Sequence, residues 1–192
     1  MKVFVTGSSS HLAAALLPRL CARPDIEQVT GVDIAPPRFQ HARFRPTVAD
    51  IRDPRLESLL AGHDALVHLA GVVLGGGMPE QEMFDINVNG GHKVFHAARR
   101  AGVRRLVHMS SAAVYGSGVH LSEAAPLKPL PQLVFARHQA HLEKLLEIEF
   151  PECVRFRPHF VLGPHARPAL RRLFNLPCYV SMPEPHPLLQ CV

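Results

Sequence analysis

A glycine turn followed by an apolar, alanine-rich stretch occupies residues 6–13, which read Thr-Gly-Ser-Ser-Ser-His-Leu-Ala. A strand that leads into such a turn and then a helix brings backbone N–H groups and the positive end of the helix dipole to one point, which suits a pyrophosphate. Dinucleotide-binding turns have three glycines, here expected at positions 7, 10 and 13, and only the first is present. An ordinary serine-capped helix start is the alternative. The residues predicted to contact a dinucleotide are Gly7, Ser10, His11 and Leu12.

A second candidate is Asp33, which closes the next β-branched run about 20 residues further on. A carboxylate at this position can accept hydrogen bonds from both ribose hydroxyls of an adenosine, and it would repel a 2′-phosphate. It therefore predicts NAD in preference to NADP, with a solvated strand-end aspartate as the alternative. Strand, turn, helix, strand and acid at these separations together predict dinucleotide binding.

Secondary-structure elements must position these candidate residues. The sequence alternates short apolar runs with longer helical patterns. Because helices separate the strands, we predict a parallel sheet covered on both faces, a Rossmann-like doubly wound α/β fold. Ligands bind such folds at the carboxyl ends of the strands, where every motif discussed here falls. The predicted strands are residues 2–6, 28–33, 44–48, 65–70, 106–110 and 154–157, and the predicted helices are residues 11–21, 54–61, 80–101 and 132–150.

Composition narrows the class of protein. The chain has 192 residues, of which 47% are hydrophobic, so it can bury a sizeable core. It contains no apolar run near the about 18 residues that span a bilayer, and its N-terminus enters a strand pattern directly. These features predict a soluble, cytoplasmic protein without membrane contact. The four cysteines are scattered without a CxxC pair, which argues against a zinc knuckle or a disulfide framework.

Two local clusters suggest other ligands. The formal net charge is +5, and arginines gather at positions 99, 100, 104 and 105. This cluster lies at the end of a predicted helix, where cations are favoured, and no nucleic-acid motif accompanies it, so we do not predict nucleic-acid binding. His92 and His96 have the i, i+4 spacing that can chelate zinc. With no third ligand evident, we predict a packed or solvated pair and no metal site.

Five further segments follow one another in a recognisable order. They are residues 50–53 (DIRD), 68–71 (HLAG), 87–91 (NVNGG), 110–116 (SSAAVYG) and 157–164 (RPHFVLGP). With the glycine turn they resemble the extended short-chain dehydrogenase/reductase family, in particular the NAD-dependent epimerase/dehydratase group, which acts mainly on nucleotide sugars. The resemblance covers essentially the whole length. It implies that the dinucleotide also contacts Asp50, Ile51, Leu69, Ala70, Gly71, Asn87 and Pro158.

The resemblance further implies hydride transfer at a nicotinamide. In that family a tyrosine of a YxxxK helix is the general acid or base, the lysine lowers its pKa, and a serine, here Ser111, binds the reacting oxygen. Phe135 and Gln139 stand where that tyrosine and lysine should be. Phenylalanine cannot exchange a proton, and an amide carries no charge. Because losing a positioned acid or base costs about 10²–10⁴-fold in rate, usual reductase or epimerase turnover should be severely impaired.

Three functions follow as alternatives. The first is a dinucleotide-binding protein of the epimerase/dehydratase type with weak or absent turnover. The second is an active NAD-dependent oxidoreductase or epimerase that uses Ser111 together with His138 or His141 as an unconventional proton donor. The third is a non-catalytic regulatory or interaction module that no longer binds the cofactor, which the loss of glycine at Ser10 supports.

The resemblance also bears on domains, substrate and assembly. Phe160 replaces an asparagine that commonly helps hold the substrate's diphosphate, which puts a sugar-nucleotide substrate in doubt. Residues 188–192 resemble the start of the family's LQxVHVxD segment, cut off before its His and Asp. We therefore predict a dinucleotide-binding domain over residues 1–163 and the proline-rich start of a truncated substrate domain over residues 164–192. The family usually dimerises through the two helices predicted at 80–101 and 132–150, so a homodimer is a further expectation.

Overall fold

The computed structural model of this chain describes residues 1–118, 120–159 and 161. Within them, strands alternate with helices. The strands are β1 (Lys2–Thr6), β2 (Gln28–Asp33), β3 (Phe44–Val48), β4 (Ala65–His68), β5 (Arg105–Met109) and β6 (Val154–Phe156). The helices are α1 (His11–Ala22), α2 (Leu56–Leu60), α3 (Glu80–Phe84), α4 (Gly91–Arg100) and α5 (Val134–Glu149), with a π-helical segment (Asp85–Gly90) between α3 and α4 and a 3₁₀ turn at Ala112–Tyr115.

The six strands form one parallel sheet in the order β3-β2-β1-β4-β5-β6. The order reverses between β1 and β4, which is the point where a doubly wound sheet opens a crevice at its carboxyl ends. Thr6, the last residue of β1, lies opposite Val32 of β2 and His68 of β4, so these strand ends are nearly level. The predicted Rossmann-like fold is confirmed.

The side chains of β1 show how both faces of the sheet are covered. Val3 and Val5 pack in one buried layer with Leu17 of α1, whereas Phe4 between them points to the opposite layer and packs with Phe95 of α4. Successive side chains of a strand alternate between the faces of a sheet. A central parallel strand buried on both faces therefore reads as a continuous apolar run, as this one does.

The helix predicted over residues 80–101 forms one continuous run that includes a π-helical segment over Asp85–Gly90. A π-helical turn accommodates an extra residue and is frequently found at functional sites. Here the segment contains Asn87, whose side chain is buried and faces the end of β4. A sequence pattern with a period near 3.6 residues predicts the helix but does not locate such a turn.

Several element ends differ from the prediction by one or two residues. β4 ends at His68 rather than at residue 70, because β1 beside it ends at Thr6, and the Asn87 side chain then holds the backbone of Val72. α5 begins at Val134, two residues after the predicted start. Leu133 before it has non-helical dihedral angles, which places it outside the helix.

Other predictions concern thiols, membranes and the C-terminal part. Cys21 and Cys153 are buried free thiols, and burial raises the pKa of Cys153 to about 12, so it stays protonated. None of the helices in the described part is long and apolar enough to cross a membrane. Phe160 and the predicted domain division after residue 163 lie outside the described residues.

Candidate functional site

The glycine turn after β1 is held against the end of β4. Gly7 has a positive φ of 71°, which favours glycine, and a Cβ atom built on it would lie 2.6 Å from the backbone nitrogen of Ala70. Its own N–H donates to the carbonyl oxygen of Val32 at 2.8 Å. No larger residue fits here, so Gly7 fixes the turn at the point where the sheet order reverses.

The turn continues directly into α1. Ser10 caps this helix, because its Oγ accepts a hydrogen bond from the backbone N–H of Ala13 at 3.2 Å. The first turn of a helix carries backbone N–H groups that lack acceptors inside the helix, together with the positive end of the dipole. The structure thus places Gly7, Ser10, His11 and Leu12 at one anion-favouring end, and the serine that replaces a glycine has become the helix cap.

Asp33 ties the end of β2 to the same turn. Its two carboxylate oxygens accept the backbone N–H groups of Ser9 at 2.9 Å and of Ala35 at 3.1 Å. The Ser9 hydroxyl in turn donates to the carbonyl oxygen of Ala35 at 2.6 Å. Since each carboxylate oxygen has more than one lone pair, both can accept a further hydrogen bond. Asp33 is therefore fixed in place with acceptor capacity remaining.

The segment after β4 is clamped by Asn87. Its side-chain amide accepts the N–H of Val72 at 2.7 Å and donates to the carbonyl oxygen of the same residue at 2.9 Å. A Cβ atom built on Gly71 would lie 3.3 Å from Asn87 Oδ1 and 3.8 Å from both Gln139 Nε2 and Phe135 Cε2. Four residues that the sequence analysis singled out thus meet at one point: Gly71, Asn87, Phe135 and Gln139.

Gln139 belongs to a line of neutral buried groups. It is 3% exposed, and its Oε1 lies 2.8 Å from Nε2 of His108. The His108 ring stacks on that of His68, with centroids 5.6 Å apart, and His68 Nδ1 lies 2.7 Å from the hydroxyl of Thr6. Burial lowers the pKa of His68 to about 3 and that of His108 to about 4. Gln139 therefore pairs with an uncharged imidazole.

Sequence reasoning did not single out His108. The one available signal was its spacing, because it occupies the same place in β5 that His68 occupies in β4, and the two residues are register partners in the parallel sheet. A histidine near the end of each of two apolar strands indicates a shared polar environment only once the strands are known to be neighbours. The sequence pattern predicts both strands but not the pairing of these two side chains.

These histidines should make stability depend on pH. Their folded-state pKa values of about 3 and about 4 lie below the ordinary value of about 6.5, so the unfolded chain binds more protons between these limits. The stabilisation is complete above pH 6.5 and is lost as the pH falls. Below pH 6.5, we expect the free energy of unfolding to decrease by about 1.4 kcal/mol for each histidine and each unit by which the pH falls. Urea unfolding at pH 7.5, 6.5, 5.5 and 4.5 measures this slope.

The range from pH 7.5 to pH 5 separates the titration of histidines from that of carboxylates, whose ordinary pKa values lie near 4. Two other buried histidines, His63 and His138, also have pKa values lowered by burial and add to the slope with the same sign. The exposed His141 offers the matched control variant His141→Asn. An unfolding free energy that is the same at pH 7.5 and pH 5 would contradict the burial of uncharged imidazoles.

A buried charge network links the end of β5 to the end of β6. Glu143 of α5 is 1% exposed, accepts the Ser110 hydroxyl at 2.5 Å, and pairs with the Arg157 guanidinium at 2.6 Å. Arg157 also donates to the hydroxyl oxygen of Tyr115 at 2.5 Å. The Tyr115 hydroxyl is therefore engaged by an arginine. Sequence reasoning missed Glu143, because a lone glutamate in an amphipathic helix is typical of a solvated face.

Ser111 lies beside this network. Its Oγ accepts the N–H of Ala113 at 3.2 Å and caps the 3₁₀ turn. The next residue, Ala112, donates its N–H to the carbonyl oxygen of Pro158 at 2.9 Å, which brings Ser111 and Pro158 close together. The side chain of Ser111 is half-buried and retains its hydroxyl proton for a second partner.

Asp50 and Ile51 lie beside the helical run, Asp50 through its partner Arg52 and Ile51 by direct packing. Arg52 pairs with Asp50 at 2.8 Å and with Asp85 of the π-helical segment at 2.8 Å. The hydrogen bonds from Arg52 lower the pKa of Asp50. A Cβ atom built on Gly90 would lie 3.0 Å from Cδ1 of Ile51, so this loop packs closely on the same segment. Asp50 thus keeps its charge near the carboxyl end of β3.

The two histidines considered as surrogate proton donors lie in different environments. His138 is 3% exposed, packs edge-on against Phe84, and has its Nδ1 3.4 Å from Nδ2 of Asn87. Burial lowers its pKa. His141 is exposed and contacts the same Phe84 ring. His138 therefore lies next to the side-chain amide of Asn87, whereas Phe135 lies next to Gly71.

The parallel sheet, the glycine turn and the residues at its carboxyl edge define a Rossmann-like protein. The chain belongs to the NAD dependent epimerase/dehydratase family, whose model matches residues 3–174.

Relatives with known activities share this region. The chain is 32% identical over 171 residues to a 4-hydroxy-2-methyl-3-oxo-4-farnesyl-3,4-dihydroquinoline-1-oxide ketoreductase of Stigmatella aurantiaca, covering 85% of this chain and 51% of the relative. It is 30% identical over 185 residues to a UDP-glucose 4-epimerase of Mycolicibacterium smegmatis, covering 88% and 58%. The chain thus spans about half the length of these relatives.

Solved structures show the same fold. A UDP-glucuronic acid 4-epimerase of Bacillus cereus in complex with NAD matches with a TM-score of 0.80 at 25% identity, covering 90% of this chain and 61% of that one. A Tyr→Phe mutant of the same epimerase, in complex with UDP-4-deoxy-4-fluoro-glucuronic acid and NAD, matches with a TM-score of 0.78 at 26% identity, covering 90% and 62%.

Proposed function

We propose that this chain binds NAD at the carboxyl edge of its sheet and has weak or absent epimerase or reductase turnover. The observation that carries the proposal is the meeting of Phe135 and Gln139 with Gly71 and Asn87. These are the positions at which the family resemblance requires the tyrosine and lysine. A phenyl ring and a neutral amide occupy the place of the acid and of the cation that would tune it.

Several features of the edge fit a dinucleotide. The turn at Gly7 is closed to any side chain, the first turn of α1 favours anions, and Asp33 retains acceptor capacity for a ribose. NAD bound there would supply a hydride acceptor. Ser111 would donate a hydrogen bond to the reacting oxygen, while the three side chains nearest to Gly71, those of Asn87, Phe135 and Gln139, carry no acid or base. In this proposal the site keeps the groups that bind the dinucleotide and has lost the group that transfers a proton.

The solved Tyr→Phe mutant supports the binding part of the proposal. In the Bacillus cereus epimerase, a protein with phenylalanine in place of a tyrosine was captured with NAD and a sugar-nucleotide analogue. A sugar nucleotide is accordingly the substrate class that we propose for this chain.

A homodimer through the helical run and α5 remains a prediction.

The environment of His138 argues against an active enzyme with a surrogate donor. Its Nδ1 lies 3.4 Å from Nδ2 of Asn87, an N–H donor, so this nitrogen accepts and is not the atom that would donate a proton. Burial also lowers the pKa of His138, which disfavours its charged, doubly protonated form. His141 is exposed on the same helix and contacts Phe84.

Isothermal titration calorimetry with NAD, NADH, NADP and NADPH tests the binding part of this proposal. We expect saturable binding of NAD. Absence of heat at millimolar NAD would reject the proposal and favour a non-catalytic module that has lost the cofactor. Assays with a panel of UDP-sugars test the second part, and turnover typical of the family would reject it.

Asp33→Asn should reduce the preference for NAD over NADP by about 10-fold, as judged by the ratio of the two dissociation constants. The substitution removes the charge that would repel a 2′-phosphate. It also replaces one acceptor oxygen by an NH₂ group that cannot accept the N–H of Ser9 or Ala35. Calorimetry with both nucleotides measures the ratio. Asp25→Asn, which alters an exposed acid paired with Arg23, is the matched control, and equal ratios in both variants would contradict the role of Asp33.

A further inference from the structure

Three side chains converge where α4 meets the end of α5. His92 and His96 lie one turn apart on α4, and Glu149 is the last residue of α5. Nε2 of His92 lies 2.9 Å from one carboxylate oxygen of Glu149, and Nε2 of His96 lies 2.8 Å from the other. The two imidazole nitrogens are themselves 3.1 Å apart. All three side chains are half-buried, with 29–35% of each exposed.

Hydrogen bonds satisfy this arrangement in one protonation state. Each Nε2 atom carries either one hydrogen or one lone pair, and a carboxylate only accepts. If both nitrogens carry their hydrogen, each donates to its own oxygen of Glu149. If both are unprotonated, two lone pairs and a carboxylate face one another at 2.8–3.1 Å, and a cation among them would be bound by all three groups.

The spacing suits a small divalent cation. The short distances among the three groups leave room for one ion at about 2 Å from both nitrogens and from a carboxylate oxygen, which is the bond length of Zn²⁺ with these ligands. Two imidazoles and one carboxylate are ligands typical of Zn²⁺, whereas Mg²⁺ and Ca²⁺ prefer oxygen alone. Three protein ligands leave a coordination position for water.

The neighbouring arginine leaves the carboxylate available. The Arg99 guanidinium donates to the backbone carbonyl of Glu149 rather than to its side chain. It also lies over the Phe150 ring, 3.8 Å from the centroid, and approaches Glu152 at 3.9 Å. The positive charge of Arg99 is therefore directed to other partners.

This cluster is separate from the carboxyl edge of the sheet, where we propose that NAD binds. Phe135 at the start of α5 lies at that edge, and Glu149 is fourteen residues further along the same helix. A rise of 1.5 Å per residue separates the two by roughly 21 Å along the helix axis.

We propose that His92, His96 and Glu149 form a binding site for one Zn²⁺ ion that joins α4 to the end of α5. The sequence analysis predicted no metal site because no third ligand was evident beside the histidine pair. That reason no longer holds, because folding brings Glu149 to the pair from 53 residues away. The site is independent of NAD binding and of turnover.

Zinc titration of the 192-residue chain tests the site. The protein is prepared without a histidine tag, stripped with a chelator, and titrated with ZnCl₂ in competition with a chromophoric chelator. We expect one equivalent to bind tightly. His96→Ala and Glu149→Gln should each weaken binding by about 100-fold or more, since loss of an outer partner of a metal ligand already costs 10–100-fold.

Matched controls separate this site from adventitious zinc. His141→Ala and Glu147→Gln remove an exposed histidine and an exposed glutamate of the same helix, and should leave the affinity unchanged. Co²⁺ in place of Zn²⁺ should give visible absorption without a thiolate charge-transfer band, which excludes the cysteines. Binding that is absent from the unmodified chain, or equal in all variants, would overturn the proposal. The result does not depend on whether the chain binds NAD.

Discussion

Replacing Glu143 with alanine is expected to lower the free energy of unfolding by about 3–5 kcal/mol, because breaking a buried ion pair leaves the other charge uncompensated. The Glu143 carboxylate is 1% exposed, and the side chain of Arg157 is 17% exposed. Ser110 would also lose the acceptor of its hydroxyl. Urea unfolding followed by far-ultraviolet circular dichroism at pH 7.5 measures the loss.

Two further variants identify the part played by charge. Glu143→Gln keeps the shape of the side chain and an acceptor oxygen, so we expect a smaller loss than for alanine. Glu147→Gln changes an exposed glutamate one turn further along α5, and should shift stability by no more than about 0.5 kcal/mol. A loss for Glu143→Ala that is no larger than for this control would show that the network contributes little.

The ion pair between Glu143 and Arg157 also positions residues of the candidate site. Ser110 precedes Ser111, and Arg157 precedes Pro158, so the ion pair holds together the ends of two neighbouring strands at the carboxyl edge of the sheet. Both flanking positions were predicted from the family resemblance. The pair that holds them in place was not, because Glu143 and Arg157 belong to different elements and no local pattern links them.

The fold could be predicted because its signals are local. The apolar run of β1, the glycine at Gly7 and the acid at Asp33 each follow from short-range rules on strands, turns and strand ends. The right-handed crossover rule then leaves few topologies for a parallel sheet. The π-helical segment could not be predicted in this way, since the surrounding helical pattern is compatible with an ordinary turn.

The site was predicted as a set of positions rather than as a set of contacts. The structure brings Gly71, Asn87, Phe135 and Gln139 together, although their roles in binding stay predictions. It also shows a partner for Gln139 that its spacing did not indicate, the imidazole of His108. The sequence identifies Gln139 as a missing lysine. The structure shows it as a neutral residue matched to a neutral neighbour.

This match determines what restoring the missing pair should do. Phe135→Tyr/Gln139→Lys introduces a phenol beside Gly71 and an ammonium next to His108. The neutral imidazole can accept from the ammonium through Nε2 if its proton moves to Nδ1, an atom that has no hydrogen-bond partner among the described residues. The pair can therefore be introduced without placing two positive charges side by side.

We expect the double variant to show a phenol pKa at least about 1 unit below the ordinary value near 10, because a nearby cation favours the phenolate. The Phe135→Tyr single variant should titrate higher than the double variant. Difference absorbance at 295 nm against the unmodified chain, which supplies the background of its two tyrosines, measures both values. Equal values in the two variants would contradict the assignment of residues 135 and 139 as the altered acid and cation positions.

Turnover should respond in the same direction and more strongly. With NAD and a panel of UDP-sugars, we expect the double variant to exceed the unmodified chain by about 10²–10⁴-fold on any sugar that the site accepts, which is the usual contribution of a positioned acid or base. Phe135→Tyr alone should recover less, since its phenol lacks the neighbouring cation. Rapid turnover by the unmodified chain that the double substitution leaves unchanged would place proton transfer on another residue, and His138→Gln would then test the buried histidine behind Asn87.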